Sequence, residues 1–183
     1  MPSNGLADEE DVARRVAELL DGRTIATAES CTAGRVAAVL ACVEKAADFL
    51  RGGLVAYQDE IKRDLLGVTA ESVLSLDAAR EMATGARRLF GADVAVSTTG
   101  VAGGESQEGT PPGTVYIATA VRDRVAATEH RFRGSPEEVC DQARHQALLD
   151  LISAMSDGGQ RPRDRLTGHT QGYRRDTTHP HEE

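Results

Sequence analysis

The chain has 183 residues, 40% hydrophobic, 27% charged and 3% aromatic, with 21 Lys and Arg against 29 Asp and Glu for a formal net charge of -8. That length and apolar share suit one domain with its own core and exclude collagen-like, mucin-like and wholly disordered chains. An acidic surface with no basic, aromatic-bearing stripe excludes nucleic acid as a partner, and no apolar run approaches the roughly 20 residues that span a bilayer. The start, Met1-Pro2-Ser3-Asn4, has neither the basic nor the apolar region of a signal peptide. Cys31, Cys42 and Cys140 are far apart and form no C-x-x-C, which argues against both a disulfide framework and structural zinc. The expectation is a soluble, cytoplasmic domain without metal or cofactor, whose partner is a small molecule.

Val12, Val16, Leu19 and Leu20 recur at helical spacing and predict a helix from Ala7 to Leu20, ended by Gly22. Thr24 to Ala28 reads as a strand, Thr32 to Cys42 as a helix, and Leu54 to Tyr57 as a second strand. A short helix follows with Ile61, Lys62, Leu65 and Leu66. A long helix, capped by Asp77 and closed by Gly91, carries Ala79, Met82, Ala83, Ala86 and Leu89. Val94 to Thr98 is a third strand. The loop from Gly100 to Gly113 holds five Gly and two Pro. Thr114–Val121 and Val125–Phe132 pair as a hairpin. Ser135-Pro136-Glu137-Glu138 opens the last helix, to about Met155, with a Ser cap, Pro at the first position and Glu at the third. Alternating strands and helices plus a hairpin predict an α/β domain over 7–156, a three-layer α/β/α with a mixed, mostly parallel sheet. Residues 157–183, with five Arg, five acids and almost nothing apolar, read as a disordered tail in which His179-Pro180-His181 is incidental.

Three segments that follow strands could carry chemistry. Ala28-Glu29-Ser30-Cys31-Thr32-Ala33-Gly34 joins a strand to a helix, where free N–H groups favour an anion and Gly34 permits close approach. Ser30 is a candidate nucleophile there; the competing reading makes Ser30 or Thr32 a helix cap. Cys31 and Arg35 stand too close together to wrap a phosphate between them, so Cys31 reads as a small buried hydrophobe. Tyr57 ends a strand, with Lys62 five residues on. A Lys held near a Ser hydroxyl can serve as general base, though most lysines are simply solvated. Thr98-Thr99-Gly100-Val101-Ala102-Gly103-Gly104 can present N–H groups to an oxyanion or phosphate, or be an ordinary flexible connection. It lacks the Gly-Lys-Ser/Thr of a P-loop and the helix that follows a dinucleotide fingerprint.

Together these segments resemble the C-terminal domain of the CinA family, the competence/damage-inducible proteins also called nicotinamide-nucleotide amidohydrolases. The likeness rests on Ala28 to Gly34, Gly52 to Tyr57 with Lys62, Leu65 to Val68, Ala79 to Ala83 with Gly85-Ala86, Thr99 to Gly103, and Pro112 to Tyr116, in order across residues 8–155. The resemblance implies a three-layer α/β/α fold, frequent homo-oligomers, and hydrolysis of the carboxamide of nicotinamide mononucleotide to nicotinate mononucleotide and ammonia. It implies Ser30 as nucleophile, Lys62 as its base and Tyr57 as an aid to proton transfer. Thr32, Gly34, Thr99, Gly100 and Gly103 would line the substrate pocket, and no metal takes part.

The departures bear on recognition. Ala33 stands where the family has Gly, a mild change if the backbone there is helical. Ala47 stands for a Ser, removing a pocket hydroxyl. Asp59 stands for Asn, Thr110 for Lys, and Pro136 and Cys140 for two Arg near the last helix. Each lost charge-assisted hydrogen bond is worth about 1.5–3 kcal/mol, and Arg144, one turn beyond Cys140, is expected to compensate. Two functions follow: an amidohydrolase of pyridine nucleotides, or a substrate-shifted or non-catalytic binding domain.

Overall fold

A computed structural model describes residues 4–156 of the chain. The tail from 157 to 183, with its His179-Pro180-His181, lies outside the described residues. Eleven elements run in the order α1 (Asn4–Leu20), β1 (Ile25–Glu29), α2 (Arg35–Ala41), α3 (Ala46–Phe49), β2 (Leu50–Val55), α4 (Asp59–Leu66), α5 (Leu76–Phe90), β3 (Val94–Gly100), β4 (Thr114–Val121), β5 (Arg124–Arg131) and α6 (Pro136–Ser156). The five strands form one sheet in the order β2-β1-β3-β4-β5. β1 pairs in parallel with β2 and β3, while β4 is antiparallel to both β3 and β5. The sheet is mixed, and four of its five strands point the same way. Among the described residues, no helix is long and apolar enough to cross a membrane.

Alternation along each strand divides the core into two halves. Ile25, Val94, Val96, Val115 and Ile117 face α1, α2 and α6, where Val16, Leu20, Val36, Leu40, Leu148 and Leu151 complete a cluster of branched side chains. The residues between them, Ala26, Ala28, Ala95, Ala118 and Ala120, face α5, which answers with Ala78, Ala79, Met82, Ala83 and Ala86. Helices on both faces give the three-layer α/β/α arrangement expected of the sequence. The alanine lining lets α5 lie close to the sheet, and the Ser97 hydroxyl donates to the Ala79 carbonyl at 2.6 Å across that gap.

Local chemistry sets most boundaries. Gly91 closes α5 at φ 59, a left-handed conformation that glycine adopts without a Cβ penalty. At the other end the cap is Ser75, whose hydroxyl accepts from the Ala78 N–H; Asp77 sits inside the first turn, favourable to the dipole but not the cap. The capping box of α6 forms as expected, Ser135 N–H donating to Glu138 and Glu138 N–H to the Ser135 hydroxyl. α3 was not foreseen, and β2 begins at Leu50, not Leu54. Gly52 and Gly53 lie within the strand because side chains would not fit: a Cβ on Gly53 would come within 2.4 Å of the Thr27 hydroxyl oxygen.

Gly85 marks a close contact between α5 and the end of α4. A Cβ there would lie 2.1 Å from the Leu66 carbonyl oxygen at the end of α4. Helix propensity alone favours Ala over Gly by roughly 1 kcal/mol. Because the obstacle is backbone, Gly85→Ala is expected instead to destabilise by about 1–3 kcal/mol, measured by urea unfolding. A rise in stability would show that α4 and α5 separate freely.

Candidate active site

The three parallel strands β2, β1 and β3 deliver their carboxyl ends to one edge of the sheet. β1 leads away to one side and β3 to the other, so the crevice between them is a topological switch point, where α/β folds bind ligands. A cleft of about 550 Å³ opens there. Its walls include Ser30, just beyond β1; Tyr57, two residues beyond β2; Lys62 on α4; and Gly100 to Gly104 beyond β3. Three loops widely separated in sequence therefore meet as their shared position after strands suggested.

Ser30 is 7% exposed, and its N–H donates to the Thr98 carbonyl at 2.9 Å, extending the β1–β3 pairing by one residue. Its hydroxyl makes no hydrogen bond among the described residues. Lys62 is buried at 2% exposure, and its ammonium donates to the Tyr57 carbonyl at 3.3 Å and to the Asp59 carboxylate at 3.2 Å. Tyr57 stands at the rim, 66% exposed. Ser30 and Lys62 thus line one cleft, with no hydrogen bond between their side chains among the described residues. On the far wall, the N–H groups of Ala102 and Gly103 make no hydrogen bond among the described residues and are free to serve a ligand.

The turn carrying Ser30 is held by a residue that the sequence did not single out. Glu29 is 1% exposed, and its carboxylate accepts four hydrogen bonds, from the Thr27 and Thr32 hydroxyls (3.0 and 2.7 Å) and the Val36 and Ala37 N–H groups (3.0 and 2.8 Å). It does the work of a cap for α2, because the N-cap position is Gly34 at φ 89 with no side chain to offer. Thr32 is thereby committed: its hydroxyl donates to Glu29 and accepts from Thr98 at 2.7 Å.

Several expected pocket residues therefore lie elsewhere. Thr32 faces Glu29, not the cleft. Gly34 lies against Val55 rather than a ligand. Thr99 points to the opposite face of the sheet, where its hydroxyl donates to the Val73 carbonyl at 2.8 Å. Arg144 does not reach the cleft, because Glu9 of α1 and Asp141 of α6 hold its guanidinium. Ala33 has φ 51, so its backbone is left-handed rather than helical and the departure from Gly is strained. Ala47 sits on α3 before β2, at the opposite end of the sheet, and Thr110 is also outside the cleft wall. Asp59, Pro136 and Cys140 do line the cleft.

The thiols are not nucleophiles in waiting. Burial pushes Cys31 up to about 12, helped by nearby Cys140 and opposed by hydrogen bonds. Cys140 is also raised, by burial, with Arg35 opposing; its Sγ donates to the Cys31 carbonyl at 2.9 Å.

Comparison with known proteins agrees with the fold. The family model of the CinA C-terminal domain matches residues 9–155. The chain belongs to the CinA C-terminal domain family. A CinA-like protein of Mycolicibacterium gilvum is 42% identical over 152 residues, which cover 79% of this chain and 36% of that protein. The chain thus spans about a third of the length of such relatives. Among solved structures, a competence-damaged protein (CinA) superfamily protein from Klebsiella pneumoniae superposes with a TM-score of 0.78 at 38% identity, covering 81% of this chain and 98% of its own. A competence/damage inducible protein from Agrobacterium tumefaciens gives 0.75 at 34%, covering 81% and 96%.

Two outcomes follow from the CinA-domain turn. Glu29→Ala removes the acceptor of four donors, three of them in buried bonds, and is expected to cost at least about 2 kcal/mol of stability; chemical unfolding near that of wild type would refute its structural role. In alkylation by iodoacetamide at pH 8, mass spectrometry should find exposed Cys42 labelled first and Cys31 last, because the Cys31 thiol stays protonated there.

Proposed function

We propose that this CinA-family domain hydrolyses the carboxamide of a pyridine nucleotide, with nicotinamide mononucleotide as the reference substrate and nicotinate mononucleotide and ammonia as products. The support is the meeting of Ser30, Tyr57 and Lys62 in one cleft at the carboxyl edge of the sheet. Ser30 Oγ attacks the amide carbon while Lys62, reacting as the neutral amine, takes its proton. The N–H groups of Ala102 and Gly103 receive the developing oxyanion, as preorganised donors do in acyl transfer. Collapse of the tetrahedral intermediate expels ammonia, which carries away the proton held by Lys62, and leaves an acyl ester on Ser30. Water then cleaves that ester, with Lys62 again as base and Tyr57 relaying protons at the solvent edge.

A nucleophile and its base act as a unit, so their losses are large and do not add. Ammonia release from nicotinamide mononucleotide is expected to fall at least about a thousandfold in Ser30→Ala and about a hundredfold or more in Lys62→Ala, with both variants folded by circular dichroism. Release that persists unchanged in Ser30→Ala would sink the mechanism.

A further inference from the structure

The charges around the cleft are arranged in a way that bears on which pyridine amide it takes. Lys62 is the one Lys or Arg among the described residues that lines it, and Lys62, Arg35 and Arg144 are each already held by a carboxylate. Lys62 has Asp59 at 3.2 Å, Arg35 has Asp141 at 3.0 Å, and Arg144 is shared between Glu9 and Asp141. The start of α6 forms part of the wall at Pro136, and two of its donors are spent within the chain, while the Glu137 N–H makes no hydrogen bond among the described residues. Pro136 has no N–H, the Ser135 N–H donates to Glu138 at 2.7 Å, and the Glu138 N–H goes to the Ser135 hydroxyl. Two carboxylates, Asp59 and Glu108, line the cleft itself, and Glu108 is fixed in place by the Ser72 hydroxyl at 2.6 Å. Cys31 and Cys140 add neutral thiols. The wall therefore carries more negative than positive charge among the described residues.

A ribosyl pyridinium carries a fixed positive charge on its ring, while a phosphate ester adds about 1.5–2 negative charges near neutral pH. We propose that the cleft selects the unphosphorylated pyridinium nucleoside, Asp59 and Glu108 attracting its cationic ring and repelling a phosphoryl group. The inference rests on the reading of the cleft as a carboxamide site. Arg133 lines not the cleft but an adjoining cavity of about 390 Å³ that shares Ala102, Gly103, Gly104 and Pro136 with it.

The test compares nicotinamide riboside with nicotinamide mononucleotide on the full chain, by ammonia release and by calorimetric binding to Ser30→Ala. The riboside is expected to be preferred by about tenfold or more in kcat/KM and in Kd. Glu108→Gln should narrow that preference by about threefold, and added salt should weaken riboside binding while strengthening that of the mononucleotide. Equal or better use of the mononucleotide overturns the proposal and leaves the amidohydrolase reading intact; loss of that advantage in Arg133→Ala would then place the phosphate in the neighbouring cavity. If neither amide releases ammonia, the amidohydrolase reading fails, and the binding ratio alone judges the charge selection. Binding of neither compound, or tighter mononucleotide binding, overturns it.

Discussion

Everything near the cleft depends on one buried carboxylate. Glu29 ends the central parallel strand, where a charge is tolerable only if its acceptor capacity is met. Its side chain gathers the Thr27 hydroxyl, the start of α2 and, through Thr32, the Thr98 hydroxyl on β3. Its carbonyl takes the Ala56 N–H at 2.7 Å, which fixes the chain just before Tyr57. One residue thus registers β1, β2, β3 and α2 against each other. The turn holding Ser30 has little freedom left, which is what a preorganised nucleophile requires.

That rigidity on one side contrasts with how Lys62 is held. Its contacts are the Tyr57 carbonyl and Asp59, both supplied by the segment leading into α4. The amine is thus placed by its own loop rather than by the sheet, and Asp59 is the wall residue most directly tied to it. A change of charge at that position would act on the Lys62 amine and on the field inside the cleft at once.

Much of this was legible in the sequence because the signals were local. Gly91, the capping box at Ser135 and the alternation of the hairpin each act within a few residues, and they fix α5, α6, β4 and β5 closely. The convergence of three loops was legible too, since each follows a strand and parallel strands end at one edge. What was not legible depends on partners far apart in the chain. Thr32, Thr99 and Arg144 look available until Glu29, Val73 and Glu9 are brought to them. Gly52 and Gly53 are explained only when Phe90 and Thr27 occupy the space their side chains would need. Nothing in the string Thr-Ile-Ala-Thr-Ala-Glu marks its last residue as a surrogate cap for a helix six residues on.

The alanine-lined face of the sheet has a consequence for how folding free energy is distributed. An Ala side chain has no rotamers to lose on burial, whereas Leu, Ile and Met surrender measurable conformational entropy. The half of the core under α5 therefore orders cheaply and relies on close backbone approach, with Met82 its one long side chain on that helix face. The half under α1, α2 and α6 buries more apolar area per residue and loses more rotamer freedom for it. Heat capacity on unfolding should accordingly come mainly from the branched half, while tolerance to enlarged side chains should be lowest in the half that contributes least to it.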